Sequence, residues 1–174
     1  MTDVDLAARI RDVPDWPEPG VTFKDITPLL ADPRAFAHVI DRLAEPHVGR
    51  GITKVVGIEA RGFVIAAPVA HRLGAGFVPA RKPGKLPRPT VAEEYSLEYG
   101  TDRLEVHTDA IEEGELVLVV DDVIATGGTA AAAARLVETL GGRVVGLEFV
   151  IELAFLHGAD RLAGWEHRTL LSYS

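Results

Sequence analysis

The amino-acid sequence predicts an α/β domain with a mostly parallel central sheet flanked by helices. Three observations carry that prediction. Four short apolar runs, Lys54 to Ile58, Gly76 to Ala80, Glu115 to Val120 and Arg143 to Ile151, are rich in β-branched residues and have the length of buried strands. Two helical runs, Gly62 to Leu73 and Thr129 to Leu140, separate them, and alternation of strand and helix is how parallel sheets are built. At 174 residues the chain has the length of one domain with one substantial core.

Taken in order, Leu6, Ala7 and Ile10 recur at helical spacing behind Asp3, so Asp3 to Val13 is expected to form a short amphipathic helix that packs on the body. Pro14 to Pro33 holds five prolines and a glycine, which predicts an extended segment crossing the surface. Asp32 followed by Pro33 is an N-cap with proline in the first helical position. Phe36, Val39, Ile40 and Leu43 then form the buried stripe of a helix ending near Pro46. The second helical run is stopped by Gly141 and Gly142, and its Ala130 to Ala134 tract needs no explanation beyond the helix. Lys82 to Gly100 is too long and too rich in proline and charge for an ordinary connection, and is expected to be a lid loop. Arg103 to His107 is expected to return as a strand, in a hairpin with part of Tyr95 to Gly100.

Composition narrows the function by exclusion. The hydrophobic fraction of 47% and charged fraction of 25% are ordinary for a soluble globular protein. A formal net charge of −8 argues against nucleic acid and against an anionic membrane surface as partners. An anionic ligand must therefore meet positive charge gathered locally. With no cysteine there is no disulfide, no thiolate nucleophile and no cysteine-based metal site. The six histidines show no metal-binding spacing. The acidic amphipathic start is unlike a signal peptide, and no apolar stretch approaches ~18 residues, so the expectation is a soluble cytoplasmic protein.

The chemistry concentrates in Val117 to Thr129, VLVVDDVIATGGT. A buried strand ends on two acids, Asp121 and Asp122. Adjacent carboxylates repel each other and help no fold, so they face a crevice. The following Ala125, Thr126, Gly127, Gly128 and Thr129 supply small side chains, glycines and hydroxyls leading into a helix, which is how backbone N–H groups converge on a phosphate. Carboxylates suit the vicinal hydroxyls of a ribose at the other end of such a ligand. The lysine of a Walker loop is absent. The reading is a site for a ribose bearing a 5′-phosphate.

This segment resembles the type I phosphoribosyltransferases, whose motif for phosphoribosyl diphosphate is an apolar strand, two acids and a TGGT loop. Within them the chain is similar to the adenine phosphoribosyltransferases, through Pro19 to Leu30, Gly57 to Phe63, Arg81 to Pro87 and Glu93 to Gly100, in that order. The resemblance implies a type I phosphoribosyltransferase fold over residues 1–174, with a small hood and base-binding segment in 1–50 and a flexible lid in 82–100. It implies transfer of ribose 5-phosphate from phosphoribosyl diphosphate to adenine, Mg²⁺ as cofactor and a homodimer.

Residue by residue, it places Ala125 to Thr129 on the 5′-phosphate and Asp121 and Asp122 on the ribose hydroxyls. Mg²⁺ is expected on the substrate oxygens with no direct protein ligand, reached through water from Asp121 or Asp122. Arg61, Arg81, Lys82 and Lys85 are expected on the diphosphate. Phe23 is expected to stack on adenine, with backbone groups of Thr22 and Lys24 reading its edge and Leu153 lining the same pocket. Hypoxanthine reverses the donor and acceptor polarities of that edge, so unpaired polar groups would reject it. Arg61 and Glu98 are the catalytic candidates, Glu98 as acid/base for the purine, with Tyr99 closing the lid. Two competing readings are a transferase for another base, such as xanthine or hypoxanthine, and a non-catalytic sensor of phosphoribosyl diphosphate.

Overall fold

The computed structural model describes residues 4–97 and 100–174. The chain runs through β1 (Arg11–Val13), β2 (Phe23–Asp25), α1 (Thr27–Ala31), α2 (Pro33–Ala44), β3 (Lys54–Ile58), α3 (Arg61–Leu73), β4 (Gly76–Ala80), β5 (Thr90–Ser96), β6 (Thr101–His107), β7 (Leu116–Ile124), α4 (Gly128–Thr139), β8 (Arg143–Leu153) and β9 (His167–Tyr173). The central sheet is five-stranded, in the order β4-β3-β7-β8-β9, and every pairing in it is parallel.

Side-chain alternation assigns the two faces of that sheet. Val56, Ile58, Val117 and Val119 turn to one face, where α4 and the β5/β6 hairpin cover them with Ala131, Ala134, Leu104 and Val106. Val55, Leu118 and Val120 turn to the other, against Val39 and Leu43 of α2 and Ile65 and Val69 of α3. Both faces are therefore buried, which is why these strands read as continuous apolar runs. At the start of α2, Asp32 accepts from the amides of Arg34 at 2.9 Å and Ala35 at 3.2 Å, a cap of the kind that contributes about 1 kcal/mol. Among the described residues no helix is long and apolar enough to cross a membrane.

Several expectations are corrected. Asp3 to Val13 is not a helix: within its described part a 3-10 turn, Ala7–Arg9, is followed by β1, which pairs antiparallel with β2. Val13 precedes Pro14, whose ring disfavours helical backbone before it, and the β2 edge offers partners instead. The proline-rich stretch is not extended throughout, since after β2 it holds the short helix α1, where Pro28 sits in the first turn and costs no helical hydrogen bond. Part of the expected lid loop is strand: β5, Thr90–Ser96, pairs with all of β6. Tyr95, Leu104 and Val106 bury one face of that hairpin and explain why it is ordered. β7 runs past Val120 to Ile124 because β8 extends to Leu153 alongside it, so Asp121 and Asp122 lie within the strand. The edge strand β9 was not expected from the sequence.

β3 leads through α3 to β4 on one side, whereas β7 lies on the other side of β3. The strand order thus reverses between β3 and β7, and the carboxyl ends of those two strands open a crevice of the kind α/β sheets use for ligands.

Candidate active site

That crevice is a cleft of about 350 Å³, lined from β3 by Ile58 to Arg61, from β7 and its loop by Asp121 to Gly127, and by Lys82, Thr129 and Ala130. Of the residues expected on the phosphoribosyl group, all but Gly128 line it. Gly128 is buried behind the loop, where a Cβ would lie 3.1 Å from the carbonyl oxygen of Ser96.

Gly127 has φ +78°, a conformation glycine adopts without penalty, and a Cβ there would collide with the carbonyl oxygen of Gly158. Gly158 in turn packs against the carbonyl of Ala125 with no room for a side chain. Two glycines thereby clamp the loop backbone to backbone. Gly127 at the N-cap of α4 brings no side chain to cap the helix, and the helix dipole favours an anion at the amides of the first turn. Gly158 carries no signal in the sequence beyond being a glycine in LHGAD, and its role was missed.

The two acids differ. Asp122 is 5% exposed, and its Oδ2 accepts from Arg61 Nε at 2.5 Å. Asp121 is half-buried, and its Oδ1 accepts from the amide of Asp122 at 2.9 Å. Burial, and then the neighbouring Asp122 charge, push the Asp121 carboxyl well above the usual carboxylate range. Gly62 keeps this place open, because a Cβ there would lie 2.6 Å from Asp121 Oδ1. An acid pair of this kind offers two acceptor groups to ribose hydroxyls or to the water shell of a hard cation. Among the described residues no group of three or more histidines and acids could hold a metal ion.

Of the cations expected on the diphosphate, Arg61 and Lys82 line the cleft, while Arg81 and Lys85 meet beside it at Glu59, which directly follows β3. Glu59 Oε2 accepts from Arg81 Nη2 at 3.2 Å and from Lys85 Nζ at 3.1 Å, while Oε1 accepts from the backbone amide of Lys82. The Lys82 ammonium points to the hairpin, donating to Tyr95 Oη at 2.6 Å and to Asp102. Burial alone would lower the Lys82 pKa, but those two partners raise it. Glu59 was not singled out from the sequence although it stands inside a quoted segment, Gly57 to Phe63.

Phe23, Thr22, Lys24 and Leu153 do not line this cleft. Phe23 adjoins it through Arg61, whose guanidinium carbon lies 4.9 Å from the Phe23 ring centroid. Trp16 meets the same ring edge-on at 4.4 Å. Thr22 is exposed, and Lys24 donates to Asp12 at 2.6 Å and lies 4.1 Å from the Tyr173 ring centroid. Leu153 ends β8, opposite Tyr173, and packs on the core around α2 and α3. Glu98 and Tyr99 lie outside the described residues. Beside them, the Ser96 carbonyl accepts from Arg161 at 3.4 Å and the Leu97 amide donates to Gly100 at 2.9 Å.

Residues 27–170 match the family model of the phosphoribosyl transferase domain. An adenine phosphoribosyltransferase of Myxococcus xanthus is 62% identical over 169 residues, covering 97% of this chain and 92% of its own. The crystal structure of adenine phosphoribosyltransferase from Rhodothermus marinus superposes with a TM-score of 0.93 at 57% identity, covering 97% of this chain and 96% of that one. The enzyme from Saccharomyces cerevisiae, solved with an imino-altritol bisphosphate and adenine, superposes with a TM-score of 0.89 at 42% identity, covering 96% of this chain and 97% of that one. With identity and fold both sustained across nearly its whole length, the chain belongs to the adenine phosphoribosyltransferase family and has the type I phosphoribosyltransferase fold.

Proposed function

We propose that this protein transfers ribose 5-phosphate from 5-phosphoribosyl 1-diphosphate to adenine, giving AMP and diphosphate. The observation that carries the reading is the position of Arg61, which touches Asp122 on the sugar side and the Phe23 ring on the base side. In the reaction the bond from ribose C1 to the diphosphate oxygen breaks, the bond from C1 to adenine N9 forms, and the base loses one proton. No covalent nucleophile is required. Catalysis consists of charge stabilisation on the leaving group and of holding the base in line.

The amides of the Ala125 to Thr129 loop hold the 5′-phosphate, and Asp121 and Asp122 accept from the ribose hydroxyls. Arg61, with Arg81, Lys82 and Lys85, meets the charge that develops on diphosphate. Asp121 and Asp122 would hold the water shell of a Mg²⁺ carried on the substrate, which would supply charge neutralisation for the leaving diphosphate. Phe23 stacks on the base, Thr22 and Lys24 read its edge through their backbones, and Leu153 completes the pocket. Glu98 takes the proton from the purine, and Tyr99 helps exclude water from the activated sugar.

The whole chain acts as one domain, with residues 1–50 as hood and 82–100 as lid, working in the cytoplasm. The active form is a homodimer, consistent with exposed apolar side chains at Val64 on α3 and Phe77 on the edge strand β4. Nucleotide formation followed by ultraviolet absorbance, with adenine, hypoxanthine and xanthine offered in parallel and with and without a chelator, tests the reading. Adenine should be the fastest base and the chelator should abolish turnover. Faster use of hypoxanthine would overturn the assignment, and light scattering at the monomer mass would overturn the dimer.

A further inference from the structure

Glu59 is an acid in the cleft to which the proposed reaction gives no part. Its side chain is 7% exposed, and its backbone is fixed where its amide donates to the Ala80 carbonyl at 3.0 Å. The carboxylate draws contacts from three residues of one short segment: the Arg81 guanidinium at 3.2 Å, the Lys85 ammonium at 3.1 Å and the Lys82 amide. Arg81 also donates to the Lys85 carbonyl at 3.3 Å, which closes the segment on itself around the acid.

We propose that Glu59 is the positioning residue for the diphosphate, holding the Arg81 and Lys85 side chains and the Lys82 backbone in one arc beside the cleft before any anion arrives. Like charges held a few ångströms apart repel, and a largely buried carboxylate between them offsets that repulsion. A flexible segment with two prolines and a glycine between Arg81 and Pro87 would otherwise lose conformational freedom on meeting its ligand. Ordering it in advance moves that cost out of the binding step. Burial pushes the Glu59 carboxyl up, but the Lys82 amide, then Lys85 and Arg81, hold it below the usual range, so the group is ionised at neutral pH. The inference rests on the proposed function, which assigns these cations to the diphosphate.

Steady-state kinetics of Glu59→Gln and Glu59→Asp, with calorimetric titration of inorganic diphosphate plus Mg²⁺, test it. Glu59→Gln should raise the KM for phosphoribosyl diphosphate and the Kd for inorganic diphosphate roughly tenfold, while kcat and the adenine KM stay within about twofold. Glu59→Asp, which restores the charge, should recover most of the loss. Glu59→Gln and Arg81→Ala should combine less than additively, because one acts through the other. An unchanged or tighter diphosphate affinity in Glu59→Gln overturns the proposal, and so does an equal rise in both KM values alongside a lowered Tm. A wild-type protein that makes no AMP would sink the proposed function itself, whereas normal wild-type turnover with an unaltered Glu59→Gln sinks only the role of Glu59.

Discussion

Arg61 Nε lies 2.5 Å from Asp122 Oδ2, joining the start of α3 to the carboxyl-terminal part of β7 across the mouth of the cleft. The Asp122 side chain is 8% exposed and that of Arg61 is 43% exposed, so the two partners stand in different surroundings. The aspartate meets the guanidinium away from solvent. The arginine, facing solvent, can leave it for a ligand anion at modest cost.

Asp122→Asn removes that charge and one acceptor for the sugar. The expected result is a rise of roughly tenfold in the KM for phosphoribosyl diphosphate, with a smaller effect on the adenine KM. Because Arg61 is half in water once released, the loss of folding stability should stay near 1–2 kcal/mol, below the cost of orphaning a buried charge. Initial-rate kinetics with each substrate varied, and a urea melt, measure both. A KM unaltered within twofold would detach Asp122 from sugar binding.

Asp121 gives a pH signature. Its carboxyl is raised in the folded protein by burial and by Asp122, so between the unfolded value of 3.8 and the folded value the native state binds more protons than the unfolded one. Stability contributed by this group is present at acid pH and is lost as pH rises through the folded pKa. Asp121→Asn should therefore raise Tm by about 2–4 °C at pH 7–8, with the gain vanishing toward pH 4, while catalytic efficiency falls. Thermal melts across that pH range check the sign. A mutant less stable than wild type at pH 8 would show that the acid pair is not strained in the free protein.

How much of this was legible in the sequence follows from how local each signal is. The β7 run and the TGGT loop announce themselves because strand, acids and helix start are contiguous, and one face rule explains Val117 and Val119 against Leu118 and Val120. Glu59 is different: its meaning comes from contacts 22 to 26 positions away, which no local pattern expresses. β9 hid for another reason, since its residues are mostly half-buried at a sheet edge and give neither a continuous apolar run nor a clean alternation. The N-terminal helix was a false positive of periodicity, as three apolar positions fit a helix equally well as a turn followed by an edge strand.

Gly127→Ala tests the phosphate loop. The new methyl meets the Gly158 carbonyl oxygen at a positive φ that alanine resists, so either the loop or the 158–162 turn must shift. Expected outcomes are a loss of about 2–3 kcal/mol in stability and a fall of at least roughly a hundredfold in kcat/KM for phosphoribosyl diphosphate. Gly158→Ala, whose methyl would meet the Ala125 carbonyl of the same loop from a residue outside the cleft, should mimic it in direction. Kinetics and melting curves on the two variants would separate a clamp from a simple turn: if Gly158→Ala melts lower yet binds phosphoribosyl diphosphate normally, the clamp idea fails.

Phe23→Leu bears on the base. The ring sits between the Trp16 edge, 4.4 Å away, and the Arg61 guanidinium carbon, 4.9 Å away, so its position is set by neighbours on two sides. Leucine keeps apolar volume but loses the flat face, and stacking on a base is worth about 1–3 kcal/mol. The adenine KM should therefore rise roughly tenfold or more, while the KM for phosphoribosyl diphosphate moves little. Trp16 supplies a second readout, because it is one of only two tryptophans in the chain and is 50% exposed. Adenine binding should change its emission in the wild-type protein and much less in Phe23→Leu, with Trp16→Phe identifying the signal. Should Phe23→Leu bind adenine as tightly as wild type, the aromatic would belong to the hood's packing around Trp16, and base recognition would have to be sought nearer Leu153.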